Sequence, residues 1–205
     1  HLPGESPGIL HPISDWSNSS LPTISFGQGY SVTALQATSV FATIANDGIR
    51  VTPNVIAGTT DSSGNFSPSK PQSSQRVISQ DTSRTIRGML ESVVSENGTA
   101  PAAAIPGYRV AGKTGTAQRV DDKCHCYAGY TASFIGFAPA DAPKYVVSVT
   151  IQGPQGLHWG GALGGPVFKK VMSFTLQSKG VAPTFGKAEN YPLNEKDLNK
   201  ATLKQ

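Results

Sequence analysis

Gly107-Tyr-Arg-Val-Ala-Gly-Lys-Thr-Gly-Thr-Ala-Gln118 is the stretch on which the fold turns, because it fits two incompatible patterns. Gly107, then four residues, then Gly112-Lys113-Thr114 satisfies the phosphate-loop expression of nucleotide hydrolases. That pattern requires a strand before Gly107 and a helix opening at Lys113. Pro101-Ala-Ala-Ala-Ile-Pro106 precedes it instead, with two prolines and no β-branched run, and Gly115 follows where the helix would begin. Tyr145–Ile151, a later apolar strand candidate, ends in Gln152-Gly153 and not in an acid that would help hold Mg²⁺. Read as an extended strand, the same segment puts Lys113, Gly115 and Ala117 on one face and Thr114 and Thr116 on the other.

Working outward, Tyr108–Gln118, Tyr130–Phe137 and Tyr145–Ile151 are three strand candidates divided by short polar loops, the pattern of an antiparallel meander. On the N-terminal side, apolar residues at 37, 40, 41, 44 and 45 predict a helix over 33–45, with Thr33 as its cap and Asn46-Asp47-Gly48 as its stop. A strand through Ile49–Ile56 and a second helix over 80–95, capped by Ser79, are expected next. Residues 1–25 read as an ordered loop around Trp16, and the Gly/Ser/Pro/Gln-rich 58–75 as a mobile connection. On the C-terminal side, Pro166 fits the first turn of a helix through Phe168, Val171, Met172 and Leu176. Residues 1–180 form the folded portion and the lysine-rich 181–205 an exposed tail. The fold class is α+β, an antiparallel sheet flanked by helices.

Composition narrows the function. In 205 residues, 15% are charged, below the usual ~25%, and 22 are glycine and 15 proline, so turns and loops are abundant. The formal charge of +4 is spread without a basic cluster, which argues against a nucleic-acid partner. No apolar run approaches the ~20 residues of a membrane span. Cys124-His125-Cys126 invites a metal reading, but a closed zinc site needs four ligands and His1, His11 and His158 have no ligand spacing. The thiols are free or bridged, and no metal or organic cofactor is implied.

Lys113-Thr114-Gly115 also matches the Lys-Thr-Gly element of serine acyl transferases that react with β-lactams. There the lysine offers a fixed positive charge to a peptide's terminal carboxylate, and the hydroxyls of Thr114 and Thr116 add hydrogen bonds. Gly115 would let substrate backbone approach, and the Thr116 N–H would serve as an oxyanion donor. The flanks carry the resemblance further. Gly4-Glu5-Ser6-Pro7-Gly8, Ser25-Phe-Gly-Gln-Gly29, Thr33-Ala-Leu-Gln36, Ala45-Asn46-Asp47-Gly48 and Asn97-Gly98-Thr99-Ala100 resemble, in order, blocks of the class B penicillin-binding proteins. So do Ile105-Pro-Gly-Tyr108, Val110–Gln118, Ser133–Asp141 and Gly160–Lys169.

This resemblance, from residue 2 to about 178, implies the C-terminal part of a D,D-transpeptidase domain with the penicillin-binding (serine β-lactamase-like) fold, incomplete in this chain. It implies a five-stranded antiparallel sheet whose Lys-Thr-Gly strand edges the cleft. The implied substrate is a peptidoglycan stem peptide, with β-lactam antibiotics as mimics, division or elongation proteins as partners, and the extracytoplasmic face of the membrane as location. Catalytic and substrate-binding roles fall on Lys113, Thr114, Gly115 and Thr116, and Trp159, in His158-Trp159-Gly160-Gly161, is a further candidate for the substrate groove. The family's Ser-x-x-Lys nucleophile and Ser-x-Asn element precede the Gly-Glu-x-x-Gly block, so both are expected on an upstream segment before His1. Ser67-Pro68-Ser69-Lys70 and Ser95-Glu96-Asn97 mimic them, but Pro68 forbids the needed helical turn and Ser95 sits at a helix end. A phosphate-loop hydrolase and a catalytically dead peptidoglycan-binding module are the alternative readings.

Overall fold

The computed structural model describes residues 4–70, 72–121 and 123–186. Around Trp16 the chain makes a 3-10 turn at Ile13–Asp15 and a short helix, α1 (Ser20–Ser25), where composition alone suggested only loop. The Trp16 indole N–H donates to His11 O at 3.0 Å. α2 (Ala34–Ala45) starts at Thr33 through a reciprocal cap: Gln36 N donates to Thr33 Oγ1 at 3.1 Å, and Thr33 N to Gln36 Oε1 at 2.8 Å. Asp47 and Gly48 then turn to positive φ, 51° and 81°, and end it.

The strand predicted through Ile56 is only β1 (Ile49–Val51), since Pro53 has no N–H for a ladder. Residues 58–75 carry paired strands: β2 (Gly58–Thr60) runs antiparallel to β3 (Phe66–Pro68), and β4 (Ser74–Arg76) returns to β1. α3 (Gln80–Ser92) is capped by the Ser79 hydroxyl, which accepts from Thr82 N at 3.0 Å. It ends before the expected 95, as the chain turns to bury Val94 and Ala100 in the core.

The meander forms as the alternation predicted. β5 (Ala111–Asp121), β6 (Cys126–Ala138) and β7 (Tyr145–Gln152) make one antiparallel sheet in that order. β6 lies in the middle, with Phe134 and Phe137 both fully buried on opposite faces. One face is covered by α4 (Gly160–Ser178), whose Phe168, Met172 and Leu176 repeat every four residues into the core. Phe168 meets Phe134 edge to face with ring centroids 4.9 Å apart. The other face packs Phe137 and Ala111 against Phe41 and Ile44 of α2 and Leu90 of α3. Helices therefore flank an antiparallel sheet on both sides, the expected α+β class.

α4 begins six residues before the Pro166 start that the sequence suggested. Pro166 lies inside it and withholds an N–H from Ala162 O, a real cost in a helix interior. Docking offsets that cost. A Cβ at Gly160 would collide with Gly115 O and Ser133 O, and one at Gly164 would stand 2.8 Å from Phe134 Cβ. The glycines let the first turns lie directly on β5 and β6. After Gly180 the chain returns to the strand's approach: Tyr108 Oη donates to Val181 O at 2.6 Å, and Thr184 and Phe185 N–H groups reach Gly107 O at 3.0 Å. Residues 182–186 are exposed, and the rest of the predicted tail, 187–205, lies outside the described residues.

Candidate functional site

β5 is aimed from its base. Just before it, Arg109 donates Nε–H to Glu91 Oε2 at 2.8 Å and Nη2–H to Glu91 Oε1 at 2.7 Å, joining the strand's approach to the end of α3. The Glu91 side chain is 3% exposed, so this two-pronged pair is the partner that keeps its charge acceptable inside the protein. Ala140 N–H also donates to Arg109 O at 2.8 Å. Lys113 is the third residue of an 11-residue strand. The phosphate-loop reading is thereby overturned: a 3-10 turn at Pro101–Ala103 stands where it needs a strand, and extended chain stands where it needs a helix.

β5 is the edge of its sheet, opposite Ile135 at Lys113, Phe134 at Thr114, Ser133 at Gly115 and Ala132 at Thr116. Lys113 is exposed, and its Nζ donates to Thr114 O at 3.1 Å and to Thr114 Oγ1 at 3.4 Å. The ammonium thus curls over the strand edge towards a residue whose side chain leaves the opposite face. Thr116 Oγ1 accepts from Gly160 N at 3.2 Å, and Thr114 Cγ2 lies 3.1 Å from where a Gly161 Cβ would be. Thr114 and Thr116 therefore abut the start of the 19-residue α4, the positive end of its dipole. Lys113, Thr114 and Thr116 come together around a helix start, a set of cation, hydroxyls and helix N–H groups suited to an anion.

Gly115 has a reason to lack a side chain that the sequence did not disclose. A Cβ there would run into the Ser133 hydroxyl on β6. This neighbour is visible only once the register, which sets Ser133 opposite Gly115, is known.

An aromatic shelf borders this corner. The Tyr130 ring, on the residue opposite Gln118 of β5, stacks on His158 with centroids 4.1 Å apart and planes 8° from parallel. His158 in turn lies 4.8 Å from Trp159, which is 60% exposed and caps α4 one residue before the Gly160–Thr116 bond. Single-sequence reading named Trp159 but had no signal for the Tyr130–His158 stack, which depends on the loop after β7 folding back. It also missed Thr99, whose Oγ1 is 3.2 Å from Thr114 Oγ1.

The two decoys fall as argued. Ser67 lies in β3, opposite Thr59, and not on a helix. Ser95 sits in the turn after α3, its hydroxyl donating to Ser92 O at 2.7 Å. Cys124 and Cys126 are bridged to each other at the β5–β6 turn, which settles the alternatives the sequence left open.

Residues 1–173 match the family model for the penicillin-binding protein transpeptidase domain. The chain belongs to this family. It is similar to the penicillin-binding protein PbpB of Mycolicibacterium smegmatis, 43% identical over 190 residues, covering 88% of this chain and 29% of the relative. It is also similar to the probable peptidoglycan D,D-transpeptidase PenA of Neisseria gonorrhoeae, 32% identical over 184 residues, 89% of this chain and 30% of that protein. Among solved structures, penicillin-binding protein 3 of Mycobacterium tuberculosis, complexed with ampicillin, superimposes with a TM-score of 0.85 at 37% identity. That alignment covers 94% of this chain and 45% of the other. The chain thus spans less than a third of the two relatives and under half of the solved chain. The Lys-Thr-Gly strand of this chain lies extended on a sheet edge.

Proposed function

We propose that these residues form the C-terminal part of a serine-type peptidoglycan D,D-transpeptidase and supply its carboxylate-binding wall. The observation that carries this is the convergence of Lys113, Thr114 and Thr116 at the edge of β5 against the start of α4. In the proposed reaction a serine Oγ on a segment outside these residues attacks the penultimate D-Ala carbonyl of a stem peptide. The C–N bond breaks, the terminal D-Ala leaves as an amine after taking up a proton, and an acyl-enzyme remains. An acceptor amine then attacks the ester, forms the crosslink and returns the serine. Until the terminal D-Ala departs, Lys113 faces its carboxylate and the Thr114 and Thr116 hydroxyls bond to it; in both acyl-transfer steps the Thr116 N–H is one oxyanion donor. Trp159 borders the groove on its outer side.

A β-lactam carries a carboxylate and an amide at similar spacing, so it enters the same wall and its opened ring stays on the serine. Residues 1–180 act as the domain portion and the chain from 181 is appended to it, held as far as Phe185 against Gly107 and Tyr108, on a parent held at the extracytoplasmic face of the membrane and working with division or elongation proteins. Among the described residues no helix is long and apolar enough to cross a membrane, so that attachment is assigned to other parts of the parent.

Covalent labelling by a fluorescent penicillin tests the reading. The full-length protein is expected to be labelled and the 205-residue chain alone to stay dark, with labelling returning when the segment bearing the serine is co-expressed. Labelling of the 205 residues alone would overturn the assignment of the nucleophile, and no labelling of the full-length protein would overturn the function.

A further inference from the structure

Thr99 reaches the site from the turn after α3, and its backbone is held on two sides. Ala100, 1% exposed, donates its N–H to Val93 O at 2.9 Å. On the other side α4 approaches so closely that a Cβ at Gly161 would collide with Thr99 O. With the backbone pinned, the one hydroxyl contact of the Thr99 side chain among the described residues is Thr114 Oγ1 at 3.2 Å, and Thr114 Oγ1 is also the 3.4 Å acceptor for Lys113 Nζ.

A hydroxyl has one proton and two lone pairs, and an ammonium can only donate. If Thr99 donates to Thr114 Oγ1, both lone pairs of that oxygen are engaged, one by Lys113 and one by Thr99. The Thr114 proton then has a single direction left, away from both neighbours, and accepting two hydrogen bonds makes it a stronger donor. We propose that Thr99 is a positioning residue that donates to Thr114 and so presents the Thr114 hydroxyl as a ready donor to a carboxylate. This deepens the carboxylate reading of the same site and rests on it. Thr99 itself touches no reacting atom. Its effect passes through Thr114 and concerns the carboxylate alone.

The test compares acylation of the full-length protein by penicillin G and by its methyl ester, which keeps the reactive ring but lacks the anionic carboxylate. Thr99→Val removes the hydroxyl at nearly constant shape and is expected to slow acylation by the acid ~2–10-fold, the worth of one neutral hydrogen bond, with the ester unchanged. Thr99→Ser is expected to restore the acid rate. In a Thr114→Val background, Thr99→Val should add nothing further. Equal losses on acid and ester, no loss on either, or full additivity with Thr114→Val would overturn the proposal. Lys113→Ala in the same assay separates the two levels. If it fails to discriminate acid from ester, the carboxylate reading falls and Thr99 with it. If it discriminates and Thr99→Val does not, only the role of Thr99 falls.

Discussion

Ala111 and Gly112 at the start of β5 are buried, whereas Ala117 to Val120 near its end are exposed. The inner half is covered by helices on both faces and anchored at Arg109 by the pair to Glu91. The outer half runs past the last β6–β7 pair, Thr131 with Gln152, slips register between Gln118 and Val120, and ends in a turn closed by Cys124–Cys126. Lys113 to Thr116 occupy the crossing point. A buried strand would aim its side chains well but hide them, and a free ribbon would expose them without aiming them. Placing the motif where the strand leaves the core gives both alignment and access, which a preorganised anion site requires.

That contrast predicts a gradient of mutational effects. Phe134, opposite Thr114 and packed on Phe168, lies in the inner half, and Phe134→Ala is expected to cost about 3–5 kcal/mol in denaturant unfolding. A cost under about 1 kcal/mol would mean that β6 is not the centre of the core. At the crossing point the effect should move from stability to chemistry. Lys113→Ala in the full-length protein is expected to lower the second-order rate of penicillin acylation ~10–100-fold, the worth of a charged hydrogen bond, with unfolding changed by no more than about 0.5 kcal/mol. An unchanged acylation rate would remove Lys113 from the site.

The outer half should tolerate more. Cys124→Ser together with Cys126→Ser opens a bridge across a single residue and is expected to cost at most about 1–2 kcal/mol, with the Lys113 region unperturbed in amide spectra. A global loss of folding would make the ribbon part of the core. The smallest effect belongs to the β2–β3 turn, away from β5. There a side-chain hydrogen bond from Asn65, with further backbone donors from Asn65, Ser63 and Gly64, holds the Asp61 carboxyl below its ordinary value. A lowered native pKa means the carboxylate stabilises the turn above the unfolded value near ~3.9, and that contribution fades as pH falls through the native value. Amide signals of Ser63 to Asn65 should therefore shift on acidification below about pH 4. Signals that stay fixed would contradict the turn geometry.

Much of this arrangement was legible from residues alone, for identifiable reasons. The caps at Thr33 and Ser79, the stop at Asp47-Gly48 and the three strands are local signals, and the chain obeys them. The family blocks fixed the order of the motifs, and the failed context of Gly107 to Thr114 already disfavoured a phosphate loop. What stayed hidden depends on distant partners. Pro166 looked like a helix start because nothing local reveals that six residues before it are docked on β5 and β6. The Ser133 hydroxyl beside Gly115 stayed hidden because it becomes a neighbour only through strand register. Of the pairs that involve 58–75, the one between β4 and β1 draws on Ile49 to Val51, too far along the chain for a local pattern to reveal.

The central claim is that an anionic group is held where β5 meets α4. A crystal structure of the full-length protein acylated by a penicillin measures it directly. The account predicts the antibiotic's carboxylate within hydrogen-bonding distance of the Thr114 or Thr116 hydroxyl, with the Lys113 ammonium on the same side. A carboxylate lying away from this corner, with these three side chains facing solvent, would contradict it.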